Sequence, residues 1–213
     1  MTAILAIESA TGPCSAAVWQ DGRLKAYAEN TSPVMQSARL LPMVEQVLKE
    51  SGLEYRDLSA VAATIGPGSF TGIRVGLAAA RGICFAAGIR GLGFTTLDVL
   101  AFGAVALAGG APVLAILNAG KGEYYYQLPG GAPRIGTLET ALAAAGKNLF
   151  IAGNVPPLCL PPQAGGGKEG EGKGISFPRA DILAALAATR PPALPLSPYY
   201  IRPPDAKLPS KKM

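Results

Sequence analysis

Histidine is absent from all 213 positions. That absence removes Ser-His-Asp triads, Cys-His dyads, imidazole acid–base chemistry and every histidine-containing metal centre. Cysteine is scarce. Cys14, Cys84 and Cys159 are an odd number at wide spacing, so neither a disulfide framework nor a paired-cysteine metal motif is indicated. Charged residues make up only 15% against 49% hydrophobic, the reverse of a disordered chain. No apolar run has the continuity to span a bilayer, because the longest, Val99 to Val113, is broken by Gly103, Gly109, Gly110 and Pro112. Met1-Thr2-Ala3-Ile4-Leu5 lacks the basic flank and cleavage site of a signal peptide, and a cytoplasmic protein without a membrane contact is expected.

The net charge of +5 is uneven. Arg190, Arg202, Lys207, Lys211 and Lys212 against Asp205 give +4 from position 190 onward, which leaves the rest near neutral. A basic nucleic-acid-binding face is therefore not supported, while the short basic tail reads first as a solvated terminus.

Apolar patterning alternates between strands and helices. Thr2 to Ile7, Ser15 to Trp19 and Leu24 to Glu29 read as an antiparallel meander, with Asp21-Gly22 as a hairpin turn. Ser37 to Ser51 reads as an amphipathic helix capped by Gly52, inside which Pro42 would remove one helical hydrogen bond unless the helix began near Leu40 or Leu41. Leu58 to Ile65 and Gly91 to Phe94 read as strands, and Ser69 to Ala87 and Thr96 to Ala108 as helices. Then Val113-Leu114-Ala115-Ile116-Leu117-Asn118-Ala119 repeats Ile4-Leu5-Ala6-Ile7-Glu8-Ser9-Ala10 with four identities in seven positions. Each copy is followed by a glycine-containing turn and a second strand, Glu123 to Leu128 in the later copy. Leu138 to Ala145 and Arg179 to Thr189 read as helices, with Asn148 to Ala152 as a strand between them. The expected organisation is two α/β halves at 1–108 and 109–198, with a mobile loop over 156–174 and a basic, proline-rich tail at 199–213.

The segment Gly66-Pro67-Gly68-Ser69-Phe70-Thr71-Gly72 follows a strand and opens a helix. Backbone N–H groups at a helix start favour an anion, so Gly68 and Ser69, with Glu8 at the end of the first strand, form a candidate residual anion or nucleotide site. No lysine follows the last glycine, so this is not a Walker A loop. A structural tight turn is the competing reading. The helix behind it carries a stripe of small residues, Gly72, Gly76, Ala79, Ala80 and Ala87. Glycine in a helix interior costs about 1 kcal/mol relative to alanine, so Gly76 needs a close neighbour, either in this chain or in a partner. Arg74 and Arg81 stand seven residues apart on one face, where they could meet partner carboxylates. Phe70 reads as an anchor under the turn, and Asp98 as a helix cap.

The block GPGSFTGIRVGLAAARGI resembles the signature of the TsaB family, the dimerisation subunit of the tRNA threonylcarbamoyladenosine complex. So do Ile4 to Thr11, Arg39-Leu40-Leu41-Pro42, Asn118 to Tyr125, and Pro198-Tyr199-Tyr200-Ile201-Arg202. The resemblance implies a two-lobed actin-like (ASKHA/RNase H-like) α/β fold with duplicated mixed β-sheets. It implies a scaffold with no catalytic residue and no cofactor or metal of its own, ATP and Mg being used by the partner subunits. Those partners are the catalytic subunit TsaD and the ATPase TsaE, with tRNA reached through the complex and a homodimer as the alternative in isolation. The implied interface comprises Arg39, Leu40, Thr71, Gly72, Arg74, Val75, Gly76, Ala79, Ala80 and Ile83. Two positions depart from the family: Gln36 or Ser37 stands where histidine is common, and Asn118 where aspartate is usual. The runner-up is a small actin-like ATPase or kinase with its own nucleotide site, and the third reading is direct tRNA binding by the tail.

Overall fold

The computed structural model describes residues 2–32, 36–146, 148–155, 175–190 and 194–202. β1 (Ala3–Glu8) is buried along its whole length, as a continuous apolar run requires when helices cover both faces of a sheet. It pairs antiparallel with β2 (Cys14–Gln20), which turns into β3 (Arg23–Asn30) through Asp21 and Gly22, both at positive φ. On its other side β1 pairs in parallel with β4 (Ala60–Thr64), which is followed by β5 (Arg90–Phe94), giving the order β3-β2-β1-β4-β5.

The second sheet repeats this plan. β6 (Val113–Gly120) is its β1, pairing antiparallel with β7 (Glu123–Gln127) and in parallel with β9 (Phe150–Gly153). β8 (Arg134–Thr137) closes the order β8-β7-β6-β9. The short sequence echo thus marks a duplication of strand order and direction, and the duplicated two-lobed α/β fold is present.

Period-two alternation sorts the residues of β1 between two cores. Leu5 and Ile7 face α1 (Gln36–Ser51) and α2 (Phe70–Ala87), meeting Val44, Val47, Ile73 and Leu77. Ile4 and Ala6 face the opposite layer, where α5 (Ala180–Thr189) supplies Leu183, Ala184 and Leu186. In the second sheet, α3 (Thr96–Ala104) packs Leu97 and Leu100 on Ala115 and Leu117, while α4 (Leu138–Ala145) covers Leu114, Ile116, Tyr124 and Tyr126. Each fully buried Leu or Ile contributes roughly 1.5–3 kcal/mol of transfer free energy.

Several expectations need correction. The alternative start near Leu40 or Leu41 does not occur: α1 runs from Gln36 through Pro42, so the expected span to Ser51 stands. The proline lies on the exposed face, where water can satisfy the carbonyl of Ala38 that lost its partner. α3 ends at Ala104 instead of Ala108, and its cap is Thr95, with Asp98 closing a reciprocal capping box. Helix 180–189, grouped by sequence with 109–198, packs on the first sheet, because its Leu and Ala stripe matches the even-numbered face of β1. α2, at 18 residues, is long and apolar enough by length and composition to cross a bilayer. Its inner face, however, is packed on β1 and β4. The loop at 156–174 and the tail beyond 202 lie outside the described residues.

Candidate functional site

Two surfaces gather the residues singled out by sequence: the cleft between the lobes and the outer face of α2.

The cleft, about 360 Å³, is lined from the first lobe by Ala10, Thr11, Gly68 and Ser69 and from the second by residues that include Asn118 and Asn154. Glu8, two residues before Ala10, is buried with 1% of its surface exposed. Its Oε1 accepts the Ala10 N–H at 2.8 Å, and its Oε2 has no hydrogen-bond partner among the described residues. Burial pushes its pKa up to about 8, against the smaller opposing pull of the Thr64 side chain and the Ala10 N–H. A carboxyl that is neutral at pH 7 and sealed from solvent is a poor magnesium ligand, which favours the structural reading of this residue. The second copy has Leu117 at the matching position and offers no opposing acid.

The glycine turn is occupied by its own chain. Ser69 donates its N–H to Ala10 O at 2.7 Å, and its hydroxyl caps α2 by accepting the Gly72 N–H at 3.3 Å. A Cβ on Gly68 would stand 2.2 Å from Ala10 O. Glycine is thus required there for backbone-to-backbone packing, and the Ser69 amide that an anion would use is already engaged.

The stripe on α2 splits in two. Gly72, Ile73, Gly76, Leu77, Ala80 and Ile83 face inward and are buried. A Cβ on Gly76 would lie 2.4 Å from Ser9 Oγ, and that hydroxyl donates to Gly72 O at 2.9 Å. The close neighbour demanded by Gly76 is therefore Ser9 of this chain. Leu40 is likewise buried, at 1% exposure. Of the residues expected at an interface, Arg39, Thr71 and Arg74 are exposed, and Val75 and Ala79 are half-buried.

The outward face of α2 carries Ala78, Gly82, Phe85 and Ala86. Phe85 is 91% exposed, and among the described residues nothing lies within 4 Å of where a Gly82 Cβ would be. A groove of about 760 Å³ runs from here to Leu48 and Lys49 of α1 and to Tyr55. Sequence reading passed over this second stripe. The signal that could have found it is the i, i+4, i+8 spacing of Ala78, Gly82 and Ala86 on the side of the helix away from Gly76.

The closing segment covers the rest of α2. Tyr199 donates its N–H to Ile65 O at 2.8 Å, and Arg81 donates to Leu196 O at 2.6 Å, so Arg81 is held by its own chain. Arg74 donates to Tyr200 Oη at 3.3 Å and stacks 3.7 Å over the Phe70 ring. Phe70 is 43% exposed and stacked on Tyr200, so it lies outside the turn and not under it. Arg202 reaches the second lobe, donating to Ala119 O at 3.1 Å and pairing with Glu123.

Among the described residues no group of three or more Cys, Asp or Glu is placed to hold a metal.

The family model described as "TsaD: tRNA N6-adenosine threonylcarbamoyltransferase" matches residues 35–180. The chain is 42% identical over 123 residues to the tRNA threonylcarbamoyladenosine biosynthesis protein TsaB of Escherichia coli K12, covering 58% of this chain and 53% of that protein. The chain therefore spans about half the length of the curated TsaB relatives it matches. It is 30% identical over 222 residues to an uncharacterized protein of Mycobacterium tuberculosis, covering 97% and 95% of the two chains. Among solved structures it is similar to YeaZ from Pseudomonas aeruginosa, with a TM-score of 0.77, 26% identity, and 94% and 100% of the two chains covered.

Proposed function

This chain belongs to the TsaB family of tRNA threonylcarbamoyladenosine biosynthesis proteins, and from that premise we propose that it is a non-catalytic subunit. It supports a TsaD catalytic subunit in forming N6-threonylcarbamoyladenosine at position 37 of ANN-decoding tRNAs. TsaE joins the pair, and ATP and Mg are used by those partners.

One observation carries this reading: Gly82. It lies inside α2, exposed, with nothing among the described residues within 4 Å of its missing Cβ. A glycine there costs about 1 kcal/mol relative to alanine, and no described neighbour requires it. A helix from a partner, lying along Ala78, Gly82 and Ala86 with Phe85 as anchor, would require it. Thr71 and Arg74 are exposed on the same helix nearer its start, and Arg39 is exposed on α1. The buried, neutral Glu8 and the self-occupied glycine turn support the absence of chemistry in the cleft.

Reconstitution tests the proposal. The chain alone should transfer no threonylcarbamoyl group to an ANN-decoding tRNA, and adding it to cognate TsaD and TsaE should restore transfer. Full transfer by TsaD and TsaE without it would end this reading.

A second reading, a small actin-like ATPase, is favoured by one feature: the buried Oε2 of Glu8, which has no hydrogen-bond partner among the described residues. It requires ATP binding that is lost in Glu8→Ala.

A further inference from the structure

We propose that the segment from Leu194 to Arg202 is a latch with one permanent end and one releasable end, and that release of Arg202 lets the second lobe swing from the first and widens the cleft between them. This goes beyond the subunit role and does not depend on it.

The permanent end is seated in the first lobe. β5 is an edge strand of its sheet, and Leu194 bridges to Gly93 on that edge. Gly93 donates its N–H to Leu194 O at 3.1 Å, and Tyr199 donates to Ile65 O at 2.8 Å. A Cβ on Gly93 would stand 2.6 Å from Pro195 O, and one on Gly66 would stand 2.7 Å from Tyr199 O. At both points backbone lies on backbone with no room for a larger residue. Leu194, Leu196 and Tyr199 also pack against the first core. Lifting this end would break hydrogen bonds and expose apolar surface in one step.

The other end is held far more lightly. Arg202 donates to Ala119 O at 3.1 Å and pairs with Glu123, both at the β6–β7 hairpin of the second lobe. The Glu123 side chain is 41% exposed, so water and salt compete for the arginine. Ala119 and Gly120 line the second-lobe wall of the cleft, opposite Ala10 and Gly68. Arg202 therefore grips the wall that moves when the cleft opens.

Away from the latch the lobes share α3. It sends Val99 to a core of the first sheet, and Leu97 and Leu100 to a core of the second. A helix common to both cores stays in place when Arg202 lets go, and it serves as the pivot. The weakly held end opens first, because local opening follows the lowest free energy. Arg74 and Arg81 of α2 grip the same strap, through Tyr200 Oη and Leu196 O. Those contacts lie on the permanent side and are kept in the open state.

The test is the distance between the lobes in the full chain. Double electron–electron resonance reads it from spin labels on azide-bearing residues placed at Gln46 in α1 and Glu139 in α4, both exposed, which leaves the native cysteines in place. Arg202→Glu should raise the ratio of the longer-distance to the shorter-distance population by about two- to fivefold, the range that an exposed ion pair supplies. The charge-swapped double variant, Arg202→Glu with Glu123→Arg, should return the ratio to that of the wild type. Amide exchange at Tyr199, followed by NMR in Arg202→Glu, should keep the wild-type rate, because the seated end does not lift. A distance distribution unchanged by Arg202→Glu would overturn the proposal, and so would a swap that restores nothing. Faster exchange at Tyr199 in step with opening would overturn it too, since the segment would then detach as a whole.

Discussion

With its carboxyl sealed from solvent and its pKa pushed up to about 8, Glu8 stays protonated in the folded chain through neutral pH. In the unfolded chain it ionises near the ordinary value of 4.5. The contribution to stability is therefore fully present below pH 4.5, declines as pH rises towards 8, and is constant above that. Glu8→Gln keeps the shape and removes the titration. Urea denaturation across this window should show the wild type losing a few kcal/mol relative to the variant, on the order set by linkage. At Gly76 the relevant contact is steric. Gly76→Ala forces a methyl group against Ser9 Oγ, and an overpacked site of this kind should cost about 1–3 kcal/mol. In the Ser9→Ala background the penalty should shrink, and a double-mutant cycle of thermal denaturation measures that coupling.

Helix α2 was legible in the sequence because its punctuation is local. Ser69 caps one end, and Gly88 takes the left-handed conformation at the other. β1, β6 and the turn at Asp21-Gly22 were legible for the same reason. β8 was not: it has four residues, one of them Gly136, and no buried position to create alternation. The placement of α5 was hidden as well, because a helical stripe says that a face is buried and not which sheet buries it. The same ambiguity governed the small residues of α2. Periodicity flagged Gly76, and only the structure assigned it to Ser9 and left Gly82 facing outward. The candidate anion site was read from a glycine pattern, and the pattern is equally well explained by Ala10 packing on Gly68.

The two lobes repeat one strand order around β1 and β6, and the segment from Leu194 to Arg202 runs across both. It is bonded to Gly93, Ile65 and Arg81 in the first lobe and, through Arg202, to the β6–β7 hairpin of the second. The Arg202–Glu123 pair is partly exposed, so Arg202→Ala should change global stability by only about 0–1 kcal/mol. Hydrogen exchange should nevertheless quicken selectively in residues 118–124, the hairpin that this arginine braces. Among the described residues the outer face of α2 around Gly82 is left uncovered, and the proposed occupant of that surface is TsaD. The most direct measurement is calorimetric titration of cognate TsaD with the wild-type chain and with Gly82→Leu. The substitution should leave the isolated chain at least as stable, because leucine is the better helix former and the site is open. Saturable binding of the wild type is expected, with at least tenfold weaker binding of the variant. Equal binding by both chains, or no interaction with TsaD at all, would contradict it.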